Sequence, residues 1–242
     1  MENIEKLRGL IAQTDNIVFF GGAGVSTESS IPDFRSADGL YNQQFPYPPE
    51  VMLSHSFFRA NTAEFFDFYR KKMIFPHAKP NAAHLALAAL ERAGRLRGVI
   101  TQNIDGLHQL AGSKNVLELH GSVLRNYCTS CRRAHPLSAV TDCEGVPRCA
   151  CGGVIKPDVV LYEEPLEHGV MERAVALLRA AELLIVGGTS LVVYPAAGLI
   201  DYFGGRDIVL INRDETPYDS RASLVIHDSV GKVLSGACAE YM

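Results

Sequence analysis

The sequence predicts an α/β chain built on a doubly wound parallel sheet, and three observations carry that prediction. Short apolar runs end in glycine pairs: Ile17-Val18-Phe19-Phe20 before Gly21-Gly22, and Leu183-Leu184-Ile185-Val186 before Gly187-Gly188. Segments with helical spacing alternate with such runs, and buried strands separated by helices imply parallel pairing with crossovers on both faces. Two stretches, one aromatic and one rich in cysteine, interrupt the alternation and predict a smaller domain inserted into the first.

In chain order, Ile4, Leu7, Leu10 and Ile11 recur at helical spacing before the first strand. A helix from Asn81 to Arg92 follows Pro80, and Gly98-Val99-Ile100-Thr101 is the next strand. Val116-Leu117-Glu118-Leu119 alternates up to His120, which places that histidine at a strand end. Helices are expected over Leu166 to Ala181, Leu191 to Tyr202 and Val230 to Ala239, with strands at Leu183 to Val186 and Ile208 to Ile211. The expected fold is a Rossmann-like domain from residues 1–36, 78–125 and 155–242. The smaller domain comprises a helical insertion, 37–77, with an aromatic helix from Phe57 to Met73, and a cysteine module, 126–154.

The chain has 242 residues, 47% of them hydrophobic, enough for a sizeable core. Its net charge of −4 gives no electrostatic footprint for nucleic acid. No apolar run approaches the roughly 18 residues of a membrane span, and no secretion signal is evident. Five of the six cysteines lie between Cys128 and Cys151. Without a signal peptide such a cluster implies reduced thiols, a cytoplasmic location and a metal site, with zinc as the expected ion.

The residues after the first strand, GGAGVSTESSIPDFR (21–35), let backbone amides approach a phosphate closely. As a dehydrogenase fingerprint the stretch fails: Thr27 stands at the third glycine position, and no acidic residue lies about 20 residues beyond the first glycine. The glycines would equally serve a tight strand-to-helix turn. The turn runs into Ile31-Pro32-Asp33-Phe34-Arg35, and TQNIDGLHQLAG (101–112) and ELHGS (118–122) follow. Together with a four-cysteine module and Gly188-Thr189-Ser190, in this order, these segments resemble the sirtuin family of NAD-dependent protein-lysine deacylases, from about Leu10 to Val230.

The resemblance implies an NAD site lined by Ala23, Gly24, Thr27, Asp33, Phe34 and Arg35, the last a forked donor suited to pyrophosphate. Gln102, Asn103, Ile104 and Asp105 would meet ribose and nicotinamide, although Asp105 also suits a helix cap. Gly188, Thr189, Ser190, Asn212, Ser229 and Val230 would meet the adenosine half. His120 and Asn103 are the implied catalytic residues, and an imidazole with an ordinary pKa of about 6.5 is a natural general base. The implied reaction transfers acetyl from lysine to ADP-ribose, releasing nicotinamide and O-acetyl-ADP-ribose. Mono-ADP-ribosyl transfer from the same pocket and a non-enzymatic zinc-ribbon module are the alternatives.

Cys128-x-x-Cys131 and Cys149-x-Cys151 form two thiol pairs able to close a tetrahedral structural zinc site, with Cys143 as a substitute ligand. KPDVVLYEEP (156–165) resembles the family's substrate strand, which receives an acetyl-lysine peptide as an added strand. Val159, Val160, Leu161, Tyr162 and Glu163 would form the acyl channel and its mouth. Glu163 replaces the family's usual glycine, which restricts the backbone and implies a preference for Lys or Arg beside the target. Asp67 precedes Arg70 where acidic-acyl removers carry a tyrosine, which implies deacetylation over desuccinylation.

Overall fold

The computed structural model describes residues 2–36 and 39–242, so Met1 and the first two positions of the expected 37–77 insertion lie outside the described residues. Among the described residues nine strands form two sheets. Six of them, all parallel, lie in the order β3 (Val116–Glu118), β2 (Leu96–Thr101), β1 (Ile17–Gly21), β7 (Leu183–Gly187), β8 (Asp207–Ile211) and β9 (Leu224–Ile226). The chain leaves β1 toward one edge and returns at β7 to build toward the other. The order therefore reverses between β1 and β7, where doubly wound sheets open a crevice at the strands' carboxyl ends.

Strand residues alternate between two apolar cores because successive side chains point to opposite faces. Ile17 and Phe19 pack with α1 (Glu2–Ala12), α5 (Ala82–Arg92) and α9 (Val230–Ala237). Val18 and Phe20 pack on the other face with Ala174 and Leu178 of α8 (His168–Ala180) and with Leu199 and Ile200. Fully burying one such side chain contributes about 1.5 to 3 kcal/mol. Helix α5 starts where its sequence dictates: the Asn81 side chain accepts from the Ala83 amide at 2.9 Å, and the Asn81 amide donates to His84 Nδ1 at 3.2 Å. Helix α8 is capped by Glu167, which accepts from the amides of Gly169 and Val170.

Two expectations are corrected, and one strand is added. Leu191 to Tyr202 is not a helix; only Ala197–Tyr202 is regular, as a 3₁₀ turn. Pro195 lacks an amide hydrogen and disfavours helical geometry in the residue before it, so Val193 and Tyr194 run irregularly along the cleft. The single aromatic helix from Phe57 to Met73 is two, α3 (His55–Ala60) and α4 (Thr62–Lys72), after the short α2 (Pro49–Met52). The break at Asn61 brings Phe58 edge-on to Phe65 with ring centroids 5.0 Å apart. Finally, Leu224–Ile226 adds an edge strand too short to be read from periodicity.

The second sheet has the order β5 (Ala134–His135), β4 (Gly121–Cys128) and β6 (Ile155–Val159), all antiparallel. It reaches beyond 126–154 at both ends. Its apolar face meets the aromatic residues of α3 and α4 in a third core that also holds Val140 of α7 (Ser138–Thr141) and Cys128. Arg125 clips the two sheets together, pairing with Glu118 at the end of β3 and Asp158 in β6. Helix α6 (Leu107–Ala111) follows β2 through the TQNID segment. Among the described residues no helix is long and apolar enough to cross a membrane.

Candidate functional site

The glycine ends of β1 and β7 meet at the reversal of strand order. Gly22 donates its amide to the Gly187 carbonyl at 3.2 Å, and Gly24 donates to the Gly188 carbonyl at 2.8 Å. A cleft of about 360 Å³ opens there, between the parallel sheet and the smaller lobe. Its wall includes Ala23, Gly24, Asp33, Phe34 and Arg35 from the first turn and Gln102 through Asp105 after β2. His120, Gly188, Thr189, Ser190 and Asn212 complete the sheet side, and Val159 through Glu163 form the opposite side.

Among the described residues the wall does not include Thr27, Ser229 or Val230. The Thr27 hydroxyl turns back to the Gly24 carbonyl at 3.0 Å, Ser229 faces Glu28, and Val230 is buried in the sheet core. Asp33 spends its carboxylate locally, accepting from the amides of Arg35 and Ser36. Cleft residues not singled out from sequence include Ser26, Lys72, Val193 and Tyr194. Ser26 lies inside the GAGVS stretch, so its signal was present. Tyr194 was hidden by the expectation of a helix.

A polar network joins the strand ends. Asn103 is buried and donates to Ser26 Oγ at 3.0 Å, and Ser26 donates to Asp105 Oδ2 at 2.7 Å. The other Asp105 oxygen accepts from the Leu107 amide at 2.9 Å, so Asp105, just before the cap residue Gly106, both meets the first amide of α6 and orients the network. Gln102 donates to Thr189 Oγ1 at 3.1 Å across the sheet. Its carbonyl lies 2.9 Å from His120 Nδ1. A carbonyl only accepts, so Nδ1 carries the hydrogen and the lone pair sits on Nε2. Burial holds the His120 imidazole below its ordinary pKa, partly opposed by that hydrogen bond.

Gly121 explains why the histidine stands here. Its φ is +75°, and a Cβ would overlap the Asp158 carbonyl of the neighbouring strand, so only glycine lets β4 start alongside β6 directly after His120. The His120 carbonyl then accepts from the Val160 amide at 3.0 Å, tying it to the opposite wall.

Two further histidines, His84 and His108, are both buried and lie 4.7 Å apart by ring centroid. Burial pushes their pKa values down to about 4 and about 3, so both are neutral near pH 7.

Glu163 adopts φ +74°, the left-handed region that glycine occupies freely and other residues enter at a cost of about 1 to 2 kcal/mol. Its carboxylate accepts from the Ser56 amide at 2.9 Å and the Ser56 hydroxyl at 2.6 Å, which offsets that cost and lowers its pKa. Glu164 accepts from the Leu161 amide and pairs with His55 and with the buried Lys156. Asp67 pairs with Lys71, and Arg70 donates to the carbonyls of Val140 and Gly145, away from the cleft. Lys72 does reach the cleft wall, donating to Gln43 Oε1 at 2.9 Å.

The sulfurs of Cys128, Cys131, Cys149 and Cys151 lie within 4.8 Å of one another, with Cys128 and Cys151 at 3.4 Å and Cys131 and Cys149 at 3.7 Å. Tetrahedral zinc with Zn–S bonds near 2.3 Å requires about that spacing, so the four fit the ion and fill its coordination. Amides of Cys131 and Ser130 point at Cys128 Sγ and lower its pKa to about 6, favouring the thiolate ligand. Cys143 stands outside, its thiol directed at the Glu144 carbonyl. Pairing of Cys128 with Ile155 and of Arg148 with Val154 draws the two cysteine turns together.

The fold and site define a doubly wound α/β protein with a nucleotide-type crevice and a four-cysteine metal module. The Sir2 family model matches residues 22–195, and the chain belongs to that family. It is similar to the NAD-dependent protein deacetylase of Clostridium acetobutylicum, 59% identical over 97% of each chain. The one of Cutibacterium acnes is 60% identical over 96% of each. Among solved structures, a Sir2 homologue in complex with NAD is 40% identical with a TM-score of 0.88, covering 98% of this chain and 93% of that one. A Sir2 variant with deacetylated p53 peptide and 3'-O-acetyl ADP-ribose is 38% identical with a TM-score of 0.89, covering 98% of each chain.

Proposed function

We propose that the protein is an NAD-dependent protein-lysine deacetylase, converting acetyl-lysine, NAD and water to lysine, nicotinamide and O-acetyl-ADP-ribose. The observation that carries the reading is His120: a neutral imidazole, its Nδ1 hydrogen committed to the Gln102 carbonyl, with a free lone pair in the cleft wall between the first glycine turn and the 159–163 segment. Nε2 accepts the proton of a ribose hydroxyl, and Asn103, fixed by Ser26, orients the ribose and the nicotinamide amide. Ala23, Gly24, Phe34 and Arg35 take the diphosphate and reacting sugar, and Gly188 through Ser190 with Asn212 take the adenosine end. NAD supplies the leaving nicotinamide and the acyl acceptor. Zinc at the four cysteines has no open position and only folds the smaller lobe. Residues 126–154 and the insertion, with the flanking parts of β4 and β6, make up that lobe, and the rest is the NAD domain. The substrates are acetylated proteins or peptides, laid as a strand against Val159 to Tyr162. A cytoplasmic location without nucleic-acid or membrane contacts accords with six free cysteines and a net charge of −4.

The test is incubation with NAD and an acetylated peptide, scoring nicotinamide release and the mass of both products. A modified protein in place of O-acetyl-ADP-ribose would instead point to ADP-ribosyl transfer. Two outcomes follow from the geometry. Because burial lowers the His120 pKa, the base is unprotonated at neutral pH, and turnover falls only as acid protonates it. The acid limb of kcat/KM against pH therefore lies below about 6.5. A limb centred above pH 7 would contradict the assignment. Acetyl peptide should be turned over at least about tenfold faster than the succinyl peptide of the same sequence, because Arg70 is held by Val140 and Gly145 and Leu161 is apolar and buried. Equal rates in one competition assay would overturn this.

A further inference from the structure

Two tyrosines meet beside the cleft, one of them, Tyr162, in its wall. The hydroxyl of Tyr41, on the segment after Phe34 and Arg35, lies 2.6 Å from the hydroxyl of Tyr162, on the segment after β6. Nothing in the reading of either segment alone calls for this contact.

The two partners are held in different ways. Tyr162 is a fixed post. Its amide donates to the Leu53 carbonyl and its carbonyl accepts from the His55 amide, both at 3.0 Å, a parallel bridge at the start of α3. The next residue, Glu163, clamps the same helix through Ser56. Tyr41, by contrast, belongs to the cofactor side. Its amide donates to the Phe34 carbonyl at 2.9 Å, its ring meets Phe34 edge-on at 5.6 Å, and the Arg35 guanidinium lies 5.1 Å from its centroid. The described part of this segment is also bonded to itself through Asp33, Asn42 and the Leu40 amide, and it meets the lobe through Leu40 in the third core and through Lys72 on Gln43.

We infer that the Tyr41–Tyr162 hydroxyl bond is a positioning device: Tyr162, through Tyr41, sets Phe34 and Arg35 for NAD, so a residue of the peptide side governs cofactor affinity. Burial and the Tyr162 hydroxyl hold the Tyr41 phenol above its ordinary pKa, so it stays protonated and the tie persists at neutral pH. Losing it loosens the cofactor segment's hold on the rigid lobe, and NAD must then order that segment more fully as it binds. The inference rests on the NAD reading of the cleft.

The experiment is a double-mutant cycle on NAD affinity, measured by titration calorimetry with wild type, Tyr41→Phe, Tyr162→Phe and the double variant. Each change removes one oxygen and keeps the ring, and melting temperature and zinc content report the fold. Each single variant should weaken NAD binding about threefold to tenfold, and the double no further than the weaker single, because both oxygens act through one bond. In turnover, KM for NAD should rise with the larger share of the effect and kcat change less. Unchanged affinity in the singles, or a double variant equal to the product of the singles, overturns the inference while leaving the NAD reading intact. A wild type that binds no NAD removes both.

Discussion

Replacing His120 with alanine lowers nicotinamide release and peptide deacetylation by about 10²- to 10⁴-fold, the usual contribution of a positioned base. The loss is in chemistry and not in folding. His120 lies between β3 and β4 and is held by backbone groups: its carbonyl takes the Val160 amide, and Gly121 makes the turn into β4, which pairs with β6. The side chain contributes one hydrogen bond, to the Gln102 carbonyl, worth about 1 kcal/mol. The variant should therefore melt within a few degrees of wild type and keep its zinc and its NAD affinity. Measuring all five quantities on one preparation separates the roles. Turnover within about tenfold of wild type would remove His120 as the base and move attention to the Asn103, Ser26 and Asp105 network.

Cys149→Ser should lose the metal altogether, whereas Cys143→Ser should bind one zinc like the wild type. Structural zinc in small modules contributes about 10 kcal/mol or more of apparent binding energy, realised only when the ligands converge. Cys149 is buried in the third core together with Cys128, Val140 and Ile155, so losing the ion loosens β4 and β6 at once. Those strands begin at Gly121 and end at Val159, next to His120 and the peptide side of the cleft. Activity should vanish through disorder of the lobe, and chelation should do the same to wild type, with loss of near-ultraviolet circular dichroism alongside metal release. A Cys149→Ser protein holding one zinc with full turnover would refute the ligand set.

Much of this was legible in the chain. Strands buried on both faces read as continuous apolar runs, and the glycine pairs ending β1 and β7 marked where those strands stop. Asn81 announced the start of α5 because a cap is a local event. Leu191 to Tyr202 misled because its apolar spacing is helical while Pro195 forbids the geometry, and the segment's packing along the cleft decides in favour of the proline. Asn61 divides one apparent helix into two for a similar reason: four aromatic rings, Phe58, Phe65, Phe66 and Tyr69, must fill one core.

The sequence by itself determined the chemistry available: the glycine turns, a histidine followed by the one residue able to make its turn, and four thiols in two pairs. Each is a property of one residue or of a short spacing, so each is written locally. Only the tertiary structure decided which groups meet. Ser26 reaches Asn103 and Asp105, His120 gives its hydrogen to Gln102, and Cys143 is left outside while Cys151 comes within 3.4 Å of Cys128. It also separated Thr27, Ser229 and Val230 from the cleft and joined Tyr41 to Tyr162 across 121 positions of chain. Such contacts follow from sheet order and the closure of two lobes, which depend on the packing of the whole chain and leave no periodic trace in any one segment.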